Sequence, residues 1–261
     1  MSQKKAPPLN VFRVALILAA LAVFFSLPAL RGSGRSLNYW ENLKSFATRF
    51  FPPDFSVWPE ISGALVETFQ IAVLATLFAA VLSLPVAAAA SRTVAPRWIN
   101  VFCRGLLNLI RSIPSLIWAL LAVVVVGANS LAGIVALSIY SIGYLGKFYS
   151  DAFESVDEGV AEALRASGAD RVQAFQYGIW PHAKPAFWSQ TLWMLEYNIR
   201  SAAIIGYVGA GGIGVWLHTY QEFYRWQQFC AVLCCILAIV VVLDFAGERI
   251  RKHFVVLARS G

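Results

Sequence analysis

The sequence predicts an all-α polytopic membrane bundle of about six transmembrane helices. Three observations predict it. Apolar residues make up 59% of the 261 residues and charged residues 13%, where soluble domains average about 45–50% and about 25%. Mean hydropathy is +0.64. The charges are gathered into short clusters between apolar runs, several of them near the roughly 20 residues a spanning helix needs.

Taken in order, residues 1–13 form a basic segment with Lys4, Lys5 and Arg13, and 14–30 the first span. The pair resembles a secretory signal, but no small-x-small cleavage site ends the run, so a retained anchor is expected; cleavage would leave five spans. An outer segment, 31–63, carries Trp40, Phe50, Phe51, Pro52, Pro53 and Trp58, suited to a membrane interface. The second span, 64–90, has Glu67 as its one charge. A basic inner loop, 91–104, precedes spans at 105–126 and 131–148, divided by Gly127-Ala-Asn-Ser130. The longest polar loop, 149–186, follows. A fifth span covers 187–207, a glycine-rich and aromatic segment 208–225, a sixth span 226–246, and a basic inner tail 247–261.

Orientation follows from lysine and arginine. With the N-terminus inside, the inner segments hold fifteen of the twenty-one, the outer ones Arg31, Arg35, Lys44, Arg49 and Arg225, and Arg200 lies within a span. That bias places both termini and the 149–186 loop in the cytoplasm. It also explains the +7 charge and pI near 9.4 through anionic lipid, with no nucleic acid needed.

The loop has internal order. Ser155-Val-Asp-Glu158 has the form of a capping box, helix formers run from Val160 to Ala166, and Gly168 stands where a left-handed residue ends a helix. Asp170 is placed to cap a second, short helix through Gln173 to Tyr177, which Gly178 and Pro181 close. Glu162, Arg165, Asp170 and Arg171 then offer a polar surface to a soluble partner.

Charge inside a span is costly, so Glu196 and Arg200, four apart on one face, are expected to pair or to face water. With Asn198 and Ser201 they either flank an anion's route or fix helix packing. Glu67 is either on the translocation path or an interface residue or a partner for an arginine, and Arg111 is read as snorkelling from the inner end of its span. Pro85 and Pro114 are expected to kink their helices. Gly209, Gly211, Gly212 and Gly214 fit G-x-G-x-x-G, but no strand and βαβ unit surround them, so a dinucleotide site is rejected. Their density suits a helix break with close backbone approach, either a gate or a fixed interfacial loop, with Trp216, Tyr220, Phe223, Tyr224 and Trp226 as an aromatic belt. Cys103, Cys230, Cys234 and Cys235 follow no metal or disulfide spacing, and the three histidines are far apart; no metal or cofactor is expected.

The loop resembles a known signature. Membrane subunits of ABC importers carry an inner loop of the form E-A-A-x3-G-x9-I-x-L-P. Here Glu162, Ala163, Gly168 and Pro181 fall at the matching spacings, while Leu164, Gly178 and Trp180 depart from the third alanine, the isoleucine and the leucine. Further stretches are similar to permeases of the phosphonate transporter family: Glu67-Thr-Phe-Gln-Ile-Ala72, Arg111-Ser-Ile-Pro-Ser115, Tyr177-Gly-Ile-Trp-Pro181, Asn198-Ile-Arg-Ser-Ala202 and Val208-Gly-Ala-Gly-Gly-Ile-Gly214. The resemblance implies a type I importer permease of the bacterial inner membrane. It implies a second permease subunit, a copy or a close homologue, two ATPase subunits on the inner face, and a periplasmic binding protein that delivers a phosphonate, phosphite or hypophosphite. It also implies that Glu162, Ala163, Arg165, Gly168, Asp170, Arg171 and Pro181 belong to the ATPase-coupling element. The chain is then not itself an enzyme, and no G-x4-G-K-[ST] occurs in it. The competing readings are an importer for another small solute, a secondary transporter or channel, which more often shows two related halves, and a membrane enzyme, for which no carboxylate or histidine cluster is visible.

Overall fold

The computed structural model describes residues 11–30 and 38–259, and these form helices and turns with no strand among them. Lys4, Lys5, Arg31 and Arg35, part of the charge bias, lie outside the described residues. The chain divides into two compact units, residues 1–48 and 49–261. The first holds α1 (Val11–Ser26), apolar after Arg13 and continued by one tight turn at Leu27–Leu30, and most of α2 (Tyr39–Phe50), which buries no residue.

The second unit is a helical bundle. It comprises α3 (Trp58–Ala90), α4 (Arg97–Ser112), α5 (Ser115–Val126), α6 (Ser130–Glu154), α7 (Glu158–Ala166), α8 (Arg171–Ala174), α9 (Trp180–Ile205), α10 (Ile213–Glu222) and α11 (Trp226–Arg259). Among the described residues four helices are long and apolar enough to cross a membrane, or six if each of two bent pairs counts as one span.

One bent pair corrects the expected span at 105–126. That run is α4 and α5, set 89° apart. Pro114 causes the break: it has no N–H to continue the ladder, and its ring pushes Ile113 out of helical space, to φ −96 and ψ 123. At 1.5 Å per residue the 12 residues of α5 cover about 18 Å, less than the roughly 30 Å hydrocarbon layer. By contrast α3 and α9 continue through Pro85 and Pro185. The second bent pair is the Arg171–Val208 run with α10, at 41°, so part of the segment expected as an outer loop is helical.

The core is built from small residues. Ala72, Ala75 and Ala79 of α3 and Ala132, Gly133 and Ala136 of α6 are all buried. Lipid tails are as apolar as leucine, so helices in a bilayer gain most by approaching closely enough for backbone contact. Side-chain pairs set the register. Arg104 reaches Glu154 and Ser150, and Leu107 fills the space beside Gly146, so α4 runs antiparallel to α6. Asn198 meets Ser141 and Thr191 meets Tyr149, so α9 does the same.

Candidate functional site

The polar loop between α6 and α9 is fixed by its caps. The expected box at Ser155–Glu158 is replaced by a simpler one. Asp157 is the N-cap of α7 and accepts the Gly159 N–H at 2.8 Å, while the Ser155 hydroxyl donates back to Ala152 of the preceding helix. Ser155 is still bonded into α6, so it is two residues too early to cap α7. Gly168 ends α7 as expected, with φ +96. Its N–H donates to the Arg165 carbonyl and that of Ala169 to the Leu164 carbonyl, which together satisfy the free end of the helix. Asp170 and Gln173 form a reciprocal capping box on α8, at 2.8 and 3.0 Å.

Gly178 and Pro181 do not close the second helix. The chain passes from α8 through a wide turn, Phe175–Ile179, directly into α9, and Pro181 lies in the first turn of that helix. Pro181 has no N–H to give Tyr177, and the ladder there widens to a bond from Trp180 to Phe175. Gly178 has a packing reason as well. A Cβ on it would lie 2.9 Å from Leu164 Cδ1, so Leu164 fills the space a side chain at 178 would need. The two departures from the importer signature therefore offset each other in volume. Glu162, Ala163, Arg165, Asp170 and Arg171 are exposed on the loop. Val172 at 70% and Tyr177 at 67% are exposed beside them, an apolar contribution that the reading of charges missed. A cavity of about 230 Å³ opens between Arg165, Arg171 and the α3–α4 turn at Arg92. The base of the loop is tied to that turn, since Glu154 accepts the Arg92 N–H and pairs with Arg104 at 2.7 Å.

Within the bundle, the expected Glu196–Arg200 pairing is corrected. Arg200 donates to Asp244 of α11 at 2.8 Å, and Glu196, buried at 9%, turns toward α11 at Gly247, where a Cβ would collide with its carboxylate. The sequence signal for Asp244 was available: it is the first charge after the uncharged run Trp226–Leu243. Asn198 is fully buried and its amide bonds Thr76 of α3 and Ser141 of α6, both at 2.9 Å. Ser201 is buried too. Asn198 thus acts as a polar clamp between three helices, while Arg200 keeps exposed surface. Arg111, in the last turn of α4, lays its guanidinium carbon 4.6 Å from the centre of the Tyr144 ring.

The glycine segment packs against α3 and α6. Gly209, Gly211 and Gly212 have φ of +89, +82 and +71. A Cβ on Gly212 would lie 2.6 Å from Thr68 Oγ1, and one on Gly211 3.0 Å from Glu67 Oε1. Glu67 accepts from the Ser130 hydroxyl, and Thr68 accepts the Ile213 N–H at 2.8 Å, so α3, α6 and α10 meet at this turn. Tyr220 does not join the aromatic belt. It is buried and donates to Glu60 at 2.9 Å, whereas Phe223 and Tyr224 remain exposed.

This geometry can be set beside known proteins. Residues 80–255 match the family described as binding-protein-dependent transport system inner membrane component. The phosphite transport system permease protein PtxC of Stutzerimonas stutzeri is 36% identical over 93% of this chain and 88% of its own length. The phosphate-import permease protein PhnE of Mycolicibacterium smegmatis is 30% identical over 94% of this chain and 45% of its own. Among solved structures, an inward-facing MetNI methionine ABC transporter has a chain of TM-score 0.65 and 25% identity, covering 74% of this chain and 95% of that one. An all-helical bundle with a capped polar loop between two long helices, matched in sequence over most of its length, belongs to the binding-protein-dependent inner membrane component family: the chain is an ABC importer permease subunit that moves a small solute with a partner ATPase.

Proposed function

We propose that this permease passes a small phosphorus oxyanion (phosphonate, phosphite or hypophosphite) from a periplasmic binding protein to the cytoplasm. The observation that carries the reading is the 36% identity over nearly the whole chain to a permease named for phosphite. The α7–α8 loop is the coupling element: Glu162, Arg165, Asp170 and Arg171 dock on the ATPase, and Gly168 and Pro181 set the angles at which the loop leaves and rejoins the bundle. Two permease subunits, this chain twice or with a close homologue, surround the route, with Arg200 and Glu67 on it and the Gly209–Gly214 turn as its outer gate. The bundle sits in the bacterial inner membrane with the loop inside.

The resemblance to a methionine transporter makes an amino acid the competing cargo. The test is uptake by the complete transporter, permease with its ATPase and binding protein, in proteoliposomes offered labelled phosphite, methylphosphonate, hypophosphite, phosphate or methionine. Saturable, ATP-dependent phosphite or phosphonate uptake is expected; uptake of methionine alone overturns the reading. In the same preparation Glu162→Lys and Gly168→Asp are expected to abolish ATPase co-purification and binding-protein-stimulated hydrolysis. Full retention of both removes the loop from the coupling role.

A further inference from the structure

Arg111 closes α4 one turn before the Pro114 break, and its depth is set by its neighbours on α6. A Cβ on Gly143 would lie 3.0 Å from Arg111 Cγ, and the guanidinium lies over Tyr144. Along the 25 residues of α6, Tyr144 is about 21 Å from the Ser130 end and about 15 Å from the Glu154 end. The side chain therefore places a fixed positive charge in the inner half of the span, about one turn of α6 from Lys147. No carboxylate among the described residues lies within ion-pair distance of it, whereas Arg104, Lys147 and Arg200 each have one. Its Nε is buried and has no hydrogen-bond partner. A charge at this depth is retained against a large cost only where something compensates it, and the ring face of Tyr144 alone supplies a weak cation–π attraction.

The surroundings are suited to an anion. Tyr140 stacks on Tyr197 at 5.4 Å and meets Tyr144 at a tilt at 4.9 Å, with the Tyr140 and Tyr197 hydroxyls 2.8 Å apart. Two phenols that share one hydrogen bond keep one O–H to donate elsewhere. A guanidinium fork beside phenolic donors, walled by aromatic rings and without an acid, matches a tetrahedral oxyanion: the fork takes two oxygens, the phenol a third.

We propose that Arg111 with Tyr140, Tyr144 and Tyr197 forms a way station for the transported phosphorus oxyanion in the inner half of the bundle. This rests on the oxyanion reading above. The Pro114 break serves it by ending α4 at this depth, so that Arg111 sits at a helix end instead of inside a continuous span.

The test uses the complete transporter in proteoliposomes, with labelled phosphite uptake and binding-protein-stimulated ATP hydrolysis measured on one preparation. Arg111→Gln is expected to cut uptake at least tenfold while stimulated hydrolysis stays within twofold of wild type, since the coupling loop is untouched. Arg111→Lys, which keeps charge and loses the fork, is expected to fall between the two. Tyr197→Phe is expected to raise KM for uptake several-fold with little change in hydrolysis. Wild-type phosphite uptake that Arg111→Gln leaves intact overturns this proposal alone. Loss of assembly by size exclusion in both Arg111 variants, with Tyr197→Phe kinetically silent, overturns it in favour of a structural charge. Wild-type uptake of methionine and of no oxyanion overturns the substrate reading, and this proposal with it.

Discussion

Gly168 and Gly212 have the same left-handed backbone, φ +96 and +71, at opposite ends of the bundle, and they have it for different reasons. Nothing lies within 4 Å of where a side chain on Gly168 would begin. Around Gly212 the space is taken by Thr68, and a Cβ on the neighbouring Gly211 would meet Ser130 backbone at 2.8 Å. The first glycine supplies only a dihedral and leaves the outside of the turn open, as a docking element requires. The second supplies a dihedral and room, as a junction of three helices requires. The same residue type thus marks an open surface at one end and a sealed contact at the other, and an open surface is what the proposed docking role needs.

The strongest way to break this comparison is at the sealed end. A Cβ on Gly214 would meet the Ala203 carbonyl at 2.1 Å and Gly206 Cα at 2.7 Å, both backbone atoms that cannot rotate away. Gly214→Ala is expected to cost about 3 kcal/mol or more, the upper range of overpacking, and to lower the Tm in detergent sharply or prevent purification. A Tm within a degree or two of wild type would show that the α9–α10 turn opens readily, as a loose gate would.

Next comes the volume exchange in the loop. Gly178→Ile alone is expected to cost about 2 kcal/mol by driving into Leu164, and Leu164→Ala alone about 1–2 kcal/mol by leaving a cavity. Together they restore the signature residues at both positions, and the double variant is expected to recover at least about 1 kcal/mol relative to additivity. Thermal unfolding of the four proteins measures this. Strict additivity would sink the claim that these departures offset each other.

These contrasts explain what the sequence made legible. Gly168 and Asp170 were readable because caps are decided within about four residues of chain, by backbone groups that must be satisfied locally. The glycines at 206–214 were readable as close approach, though not what they approach. The depth of Arg111 is set by register on α6, and the 89° break at Pro114 detaches that depth from its distance along an uninterrupted span. Arg200 was paired with the wrong acid for a similar reason. The i,i+4 rule sees one helix, while Asp244 lies 44 residues on in another. Local rules read the Gly168–Asp170 turn well and missed the loop's entry and exit; cross-helix register, which decides the membrane interior, has no local signature.

At the open end the expected cost is smaller. Gly168→Ala pays only the left-handed penalty, about 1 kcal/mol, and leaves the surroundings unstrained. Its Tm in detergent should fall by a few degrees at most, and ATPase co-purification should survive, in contrast to Gly168→Asp. A loss comparable with that of Gly214→Ala would mean that space at Gly168 is occupied in the assembled transporter, and the distinction between the two glycines would fail.

The smallest effect tests the junction from outside the spans. The Ser56 N–H holds the Asp54 carboxyl below the usual carboxylate range, helped by the Ser56 side chain and by Gln228 at the start of α11. The Asp54 N–H also reaches the Gln227 carbonyl at 3.1 Å, so this turn clips the beginning of α3 to α11. A carboxyl whose folded pKa is depressed contributes stability above its unfolded pKa and loses it as pH falls through the folded value. The Tm of the wild type should therefore drop slightly more between pH 6 and pH 3 than that of Asp54→Asn, which keeps the side-chain shape but does not titrate. Because Asp54 keeps access to solvent the difference is expected to be small, and parallel pH profiles would show that the Gln227–Asp54 backbone bond holds the clip without the carboxylate.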